Sequence, residues 1–112
     1  MKCLRLTHVN LRVEKLPEAV RFYAEVMGLE PIVRRDRGGT GAWFRLGDAE
    51  LHLAEDPTPQ PRSKRHFAVE VADLAQARRE AEQRGTEIDQ EDAGRFWMRD
   101  PSGNRIEVVQ GP

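Results

Sequence analysis

The chain of 112 residues reads as an α+β domain built from two copies of one β-α-β-β-β module. Three observations predict this. Strand-like alternation opens each half, a helical stripe closed by a glycine follows it, and the same order restarts after a proline-rich stretch. Apolar residues make up 38% of the chain and charged residues 33%, a balance suited to one soluble domain with one core and a heavily charged surface.

The elements follow in order. Leu4–Val13 alternates, with Val9, Leu11 and Val13 on one side and His8, Asn10 and Arg12 on the other, the period of a half-buried strand. Leu16, Ala19, Val20, Tyr23, Val26 and Met27 then recur at helical spacing, with Pro17 in the first turn and Gly28 at the stop. Glu30–Arg35 and Thr40–Leu46 read as two strands around a turn at Gly38-Gly39, and Ala49–Ala54 as a third, with Leu51 and Leu53 opposite Glu50 and His52. The segment 57–64 carries Pro57, Pro59 and Pro61 among polar residues and reads as a semi-extended connector. Beyond it Phe67, Val69 and Val71 alternate against His66, Ala68 and Glu70. Asp73 and Gln76 form a capping box for a helix with the stripe Leu74, Ala77 and Ala81, ended by Gly85. Glu87–Asp89, Arg95–Arg99 and Arg105–Gln110 supply the closing strands, the last two separated by a turn at Pro101-Ser102-Gly103-Asn104.

Laid over each other, HVNLRVEKLPEAVRFYAEVMGLE and HFAVEVADLAQARREAEQRGTE align His8 with His66, Val13 with Val71 and Leu16 with Leu74. Gly28 meets Gly85 with a one-residue slip. We read this as an internal repeat: module one spans 1–56, the connector 57–64 and module two 65–112, all within a single domain 1–112.

Composition excludes several function classes. A net charge of -1, from 18 basic and 19 acidic residues, offers no field to attract nucleic acid or an anionic membrane. No apolar run approaches the roughly 18 residues of a membrane span, and the N-terminus begins as a strand rather than a signal peptide. Cys3 is the single cysteine; it allows no internal disulfide, has no base beside it, and is read as a packing residue. A cytoplasmic protein acting on a small molecule is expected.

The chemistry concentrates in four residues. His8, His52 and His66 are the only histidines, each falls inside a predicted strand, and each lies on the polar side of the alternation. Glu107 takes the same placement in the last strand. His8 and His66 open the two halves, and His52 and Glu107 close them, so pseudo-twofold pairing would gather all four. Imidazole and carboxylate are ligands for one borderline divalent ion: Zn, Ni, Fe, Mn or Co.

At these residues the sequence resembles the vicinal oxygen chelate superfamily, which includes glyoxalase I, methylmalonyl-CoA epimerase, extradiol ring-cleaving dioxygenases, fosfomycin-resistance thiol transferases and bleomycin-binding proteins. The segments that carry the resemblance are THVNLRVEKLPEAVRFYAEVMGLE, LHL, RHFAVEVADL and RDPSGNRIEVV, almost the whole chain. It implies two βαβββ modules whose sheets form a cupped, partly open barrel around a metal, with the helices outside, and a homodimer. His8, His66 and Glu107 match the two-histidine, one-glutamate set of the dioxygenases and fosfomycin transferases. His52 falls where glyoxalase I-like members usually carry a glutamate. Glu107 therefore has to act as both ligand and catalytic base, unless Glu50 or Glu70 helps. Asp89–Arg99 holds Arg95 but no lysine, serine or tyrosine, which points away from the fosfomycin-transferase branch.

Around the ligands, Trp43, Phe44, Phe96 and Trp97 occupy matching third strands, one aromatic of each pair facing the core and one the cavity. Trp43 and Trp97 are taken as the substrate wall, with Asn10 and Arg95 as polar contacts. Arg34, Arg35 and Arg37 beside the glycine turn are read as solvated hairpin residues. Two function classes result: a metal-dependent isomerase, lyase or dioxygenase acting on vicinal oxygens, or a metal-free protein that sequesters a planar ligand as the bleomycin-resistance proteins do.

Overall fold

In the computed structural model, which describes residues 1–35 and 38–112, the chain repeats one order of elements twice. The first set is β1 (His8–Val13), α1 (Leu16–Arg21), β2 (Glu30–Ile32), β3 (Gly41–Leu46) and β4 (Ala49–Glu55). The second is β5 (His66–Val71), α2 (Leu74–Gln83), β6 (Glu87–Asp92), β7 (Arg95–Arg99) and β8 (Arg105–Gln110). The sets fall into two compact units, Met1–Pro59 and Gln60–Pro112. Each has its own four-stranded mixed sheet, ordered β1-β4-β3-β2 and β5-β8-β7-β6. Arg37 lies outside the described residues.

In each unit the first strand pairs parallel with the last, and the remaining neighbours pair antiparallel. A parallel pair needs a long crossover, which the helix and the two middle strands supply. The alternation then sorts side chains by face. Val13, Ala19, Phe22, Tyr23, Phe44, Leu51 and Leu53 are buried in the first unit, and Ala81, Phe96, Met98, Ile106 and Val108 in the second. Burying a large apolar side chain of this kind stabilises the fold by about 1.5–3 kcal/mol. The opposite face of each sheet carries the histidines, Glu107 and the two tryptophans.

Both helices are tied to the end of their own sheet. The Leu16 amide donates to Glu55, the last residue of β4, at 2.8 Å, and the Leu74 amide donates to Gln110, the last residue of β8, at 2.9 Å. The repeat thus extends to how each helix N-terminus is satisfied. Gly28 and Gly85 end the helical segments at φ 65° and 74°, a conformation glycine adopts without steric cost.

Several expectations need correction. The strand alternation at Leu4–Thr7 does not form a strand. Its partner β4 begins at Ala49, the Glu50 amide closes the ladder on the Thr7 carbonyl, and Leu4 and Leu6 are 89% and 65% exposed. Cys3 is exposed rather than packed. β2 stops at Ile32, opposite Trp43, instead of Arg35, and Arg34 turns its guanidinium onto the carbonyls of Gly38 and Gly39. The first helix widens after Arg21 into a π-helical turn over Phe22–Val26, where the Met27 amide reaches the Phe22 carbonyl. β6 runs on to Asp92 through an irregularity between Ile88 and Gln90. The capping box is half formed. Asp73 accepts from the Gln76 amide at 3.0 Å, but the Gln76 side chain donates to Glu80.

Candidate metal centre

The first unit lines up four side chains as a stack. β4 lies between β1 and β3, and His52 has Asn10 and Trp43 as its cross-strand partners. The Trp43 and His52 rings lie 3.8 Å apart with 2° between their planes. His52 and His8 lie 4.3 Å apart with 16° between planes. Beyond Trp43, the Arg35 guanidinium sits 4.5 Å from the indole centre, a cation–π contact. Arg35 therefore belongs to the site face while its side chain stays 64% exposed, solvated as expected.

Glu50 clasps this stack from the side. One of its carboxylate oxygens accepts from Arg35 Nη2 at 2.9 Å and meets His52 Nε2 at 3.0 Å. Arg35, and after it His52, pulls the Glu50 carboxyl down from its ordinary range to about 2. An ionised carboxylate only accepts, so His52 Nε2 is the donor. Beside the stack opens a pocket of about 460 Å³ lined by Arg5, Arg35, Arg45, Trp43, His8 and His52, among others. Asn10 is exposed on this face.

The second unit pairs His66 with Glu107. His66 Nε2 lies 3.2 Å from Glu107 Oε1, and His66 Nδ1 lies 2.8 Å from the Lys64 carbonyl oxygen. A carbonyl accepts, so Nδ1 is the donor in that contact. The other Glu107 oxygen is 3.5 Å from Arg95 Nη1. Trp97, the cross-strand partner of Glu107, meets His66 edge to face at 6.5 Å. It also lies beneath Arg105, 5.1 Å from the ring centre. Its buried Nε1 has no hydrogen-bond partner among the described residues. Such a donor costs free energy until an acceptor arrives.

Donors of metal-binding type therefore come in pairs, His8 with His52 in the first unit and His66 with Glu107 in the second. Glu50 stands beside the first pair, but among the described residues no group of three or more His, Cys, Asp or Glu side chains is arranged to hold an ion. The sequence reading named Glu50 only as a possible helping base and did not foresee its bonds to Arg35 and His52; it did not single out Asp89, Arg99 and Arg105, a cluster whose Arg105 stacks on Trp97 in the second unit. The signal for Arg99 and Arg105 was present, since each stands two residues from Trp97 or Glu107 on the same strand and so shares its face. Asp89 Oδ2 joins them, 2.9 Å from Arg99 Nη2 and 2.8 Å from Arg105 Nε.

Paired βαβββ modules with imidazole and carboxylate donors on the sheet faces define the vicinal oxygen chelate class. Residues 5–108 match the family described as the Glyoxalase/Bleomycin resistance protein/Dioxygenase superfamily, and the chain belongs to it. Among curated relatives, it is 30% identical over 116 residues to glutathione transferase FosA of Serratia marcescens, covering 95% of this chain and 80% of that protein. Among solved structures, a glyoxalase family protein from Bacillus anthracis aligns with a TM-score of 0.82 at 28% identity, over 100% of this chain and 98% of that one. The fosfomycin resistance protein FosX from Listeria monocytogenes shares the fold, with a TM-score of 0.87 at 18% identity over 99% and 94% of the two chains. A variant of FosX is known as a complex with Mn(II) and 1S,2S-dihydroxypropylphosphonic acid. No helix among the described residues is long and apolar enough to cross a membrane.

Proposed function

We propose that this chain is a metal-dependent enzyme acting on a small, oxygen-rich substrate, with one divalent ion held by His8, His66 and Glu107. The observation that carries the reading is the His66–Glu107 pair. Its His66 Nε2 and Glu107 Oε1 atoms, 3.2 Å apart, stand at the spacing of two ligands of one cation, since ligand atoms each about 2.1 Å from one ion and at right angles lie about 3 Å apart. The Lys64 carbonyl fixes the His66 tautomer as a second-shell partner does in metal sites. A Zn, Ni, Fe, Mn or Co ion bound there supplies Lewis-acid polarisation of the substrate's oxygens.

The chain's own residues narrow the chemistry. Glu50, held near 2 by Arg35 and His52, is too weak a base to take a proton from carbon. Of the carboxylates that remain, Glu107 is the one at a ligand position and would serve as ligand and base together, which favours addition of an external nucleophile over proton-shuttling isomerisation. The relation to FosA makes fosfomycin, with a thiol or water as the attacking group, the first substrate to try. Asp89–Arg99 lacks lysine, serine and tyrosine, so arginines such as Arg35, Arg45 and Arg95 would meet an anionic head group, with Trp43, Trp97 and Asn10 contacting the remainder. We take the working form to be a cytoplasmic homodimer, which light scattering of the purified protein checks.

The test is elemental analysis of untagged protein beside His66→Ala. About one divalent ion per chain, lost in the variant, supports the reading. Phosphorus NMR of fosfomycin with the loaded protein then reads turnover. Failure to retain Zn, Ni, Fe(II), Mn or Co after dialysis against each ion would overturn it in favour of a ligand-sequestering protein.

A further inference from the structure

We infer that His52 is a positioning residue and not a metal ligand: its ring, sandwiched between Trp43 and His8, sets the plane of the His8 imidazole. The inference deepens the metal-enzyme reading and rests on His8 being a ligand there.

The geometry is decided by direction. An imidazole binds an ion through an in-plane lone pair at about 2.0–2.1 Å. His8 and His52 lie face to face, 4.3 Å apart with 16° between planes. An ion in the plane of His8 at bonding distance would stand roughly a ring-stacking distance outside the plane of His52, beyond reach of any His52 lone pair. In this arrangement one ion can take one of the two rings.

His52 is the ring already committed. One face lies on Trp43 and the other on His8, and its Nε2 proton goes to Glu50. Glu50 is itself anchored by Arg35, and Arg35 closes the far side of Trp43. Every contact on His52 restricts its rotation. His8 has only one face covered by this stack, and its Nδ1 is engaged by Thr7 Oγ1 at 3.0 Å, which leaves Nε2 for an ion. The stack therefore orders the His8 side chain before metal arrives, and ordering a ligand in advance removes an entropic cost from binding.

The experiment compares His52→Phe, which keeps a flat ring but has no ligand atom, with His52→Ala and His8→Ala. Zn(II) and Mn(II) affinities are measured by chelator competition, and the His8 ring protons are followed by NMR in the metal-free proteins. His52→Phe is expected to bind about one ion per chain with near wild-type affinity and to keep the ring-current-shifted His8 resonances. His52→Ala is expected to keep the stoichiometry, to weaken affinity about 10–100-fold, and to release the His8 resonances toward free-histidine positions. If His52→Phe loses the ion as completely as His8→Ala, His52 is a ligand and the inference is wrong. It also fails if His52→Ala leaves the His8 resonances where they are. A wild-type protein that binds neither ion would overturn the metal-enzyme reading instead, while the metal-free NMR still decides whether the stack positions His8.

Discussion

Asp89 shows how much rests on a single carboxylate. It faces Arg99 and Arg105, whose side chains are only 7% and 6% exposed, while its own is 24% exposed. Breaking a buried ion pair from one side costs about 3–5 kcal/mol, because a charge is left uncompensated. Arg99 would keep the carbonyls of Ser63 and Gly103, and Arg105 would keep Gln90. Asp89→Asn should therefore fall at the low end, about 3 kcal/mol, read as a lower urea midpoint at unchanged slope. The pH dependence follows from the same contact. The hydrogen bond from Arg105, aided by the charge of Arg99, holds the Asp89 carboxyl below its ordinary 3.8. Near that pH the unfolded chain binds the proton more readily than the folded one. The contribution is thus complete above the ordinary carboxylate value and is lost as pH falls through the lower, folded one. Urea midpoints at pH 6 and pH 3 should drop more in the wild type than in Asp89→Asn; an equal drop would mean that Asp89 carries no linkage. The loss would also reach the site, since Arg105 stacks on Trp97, the cross-strand partner of Glu107.

At the scale of elements, the start of α2 separates two expectations. Asp73 caps the Gln76 amide, so Asp73→Ala should cost about 1 kcal/mol. Gln76→Ala should cost clearly less, because its side chain bonds Glu80 and not the cap. Gln110→Ala should resemble the cap variant, since Gln110 satisfies the Leu74 amide and the Ala72 carbonyl. Thermal melts of the three variants check this order, and a Gln76→Ala loss equal to that of Asp73→Ala would restore the full capping box. The contrast marks what the sequence makes legible. Alternation and helical stripes are local, so β1, β4, β5 and both helices are readable, as are their stops at Gly28 and Gly85. Where a strand ends depends on a partner far along the chain: Leu4–Thr7 alternates perfectly well but runs past the start of β4. The irregularity that brings Asp89 to its two arginines and the π-helical turn at Phe22 likewise follow from packing, not from any local period. The candidate site divides the same way. Period two was enough to put His8, His52, His66 and Glu107 on one kind of face. Whether two imidazoles converge or stack is set by register and side-chain rotation, which a period cannot report.

For the whole molecule, the repeat raises the question of which donors belong to one ion. Each unit offers a pair, and the proposed ligand set of His8, His66 and Glu107 has members in both. An ion that binds only the folded protein, supplied at 100 times its dissociation constant, adds about 2.7 kcal/mol of stability. For a chain of this size that amounts to roughly 10 °C in melting temperature. Melting with and without Mn(II) or Zn(II) should show this rise in the wild type and lose it both in His8→Ala, a change in the first unit, and in His66→Ala, a change in the second. The pattern discriminates because His66 and Glu107 could hold an ion by themselves, though with fewer ligands and lower affinity. A His8→Ala protein that kept the full rise, with His66→Ala losing it, would assign the ion to the second unit alone. The stacked histidines of the first unit would then line the pocket beside Arg5, Arg35 and Arg45 rather than serve the metal.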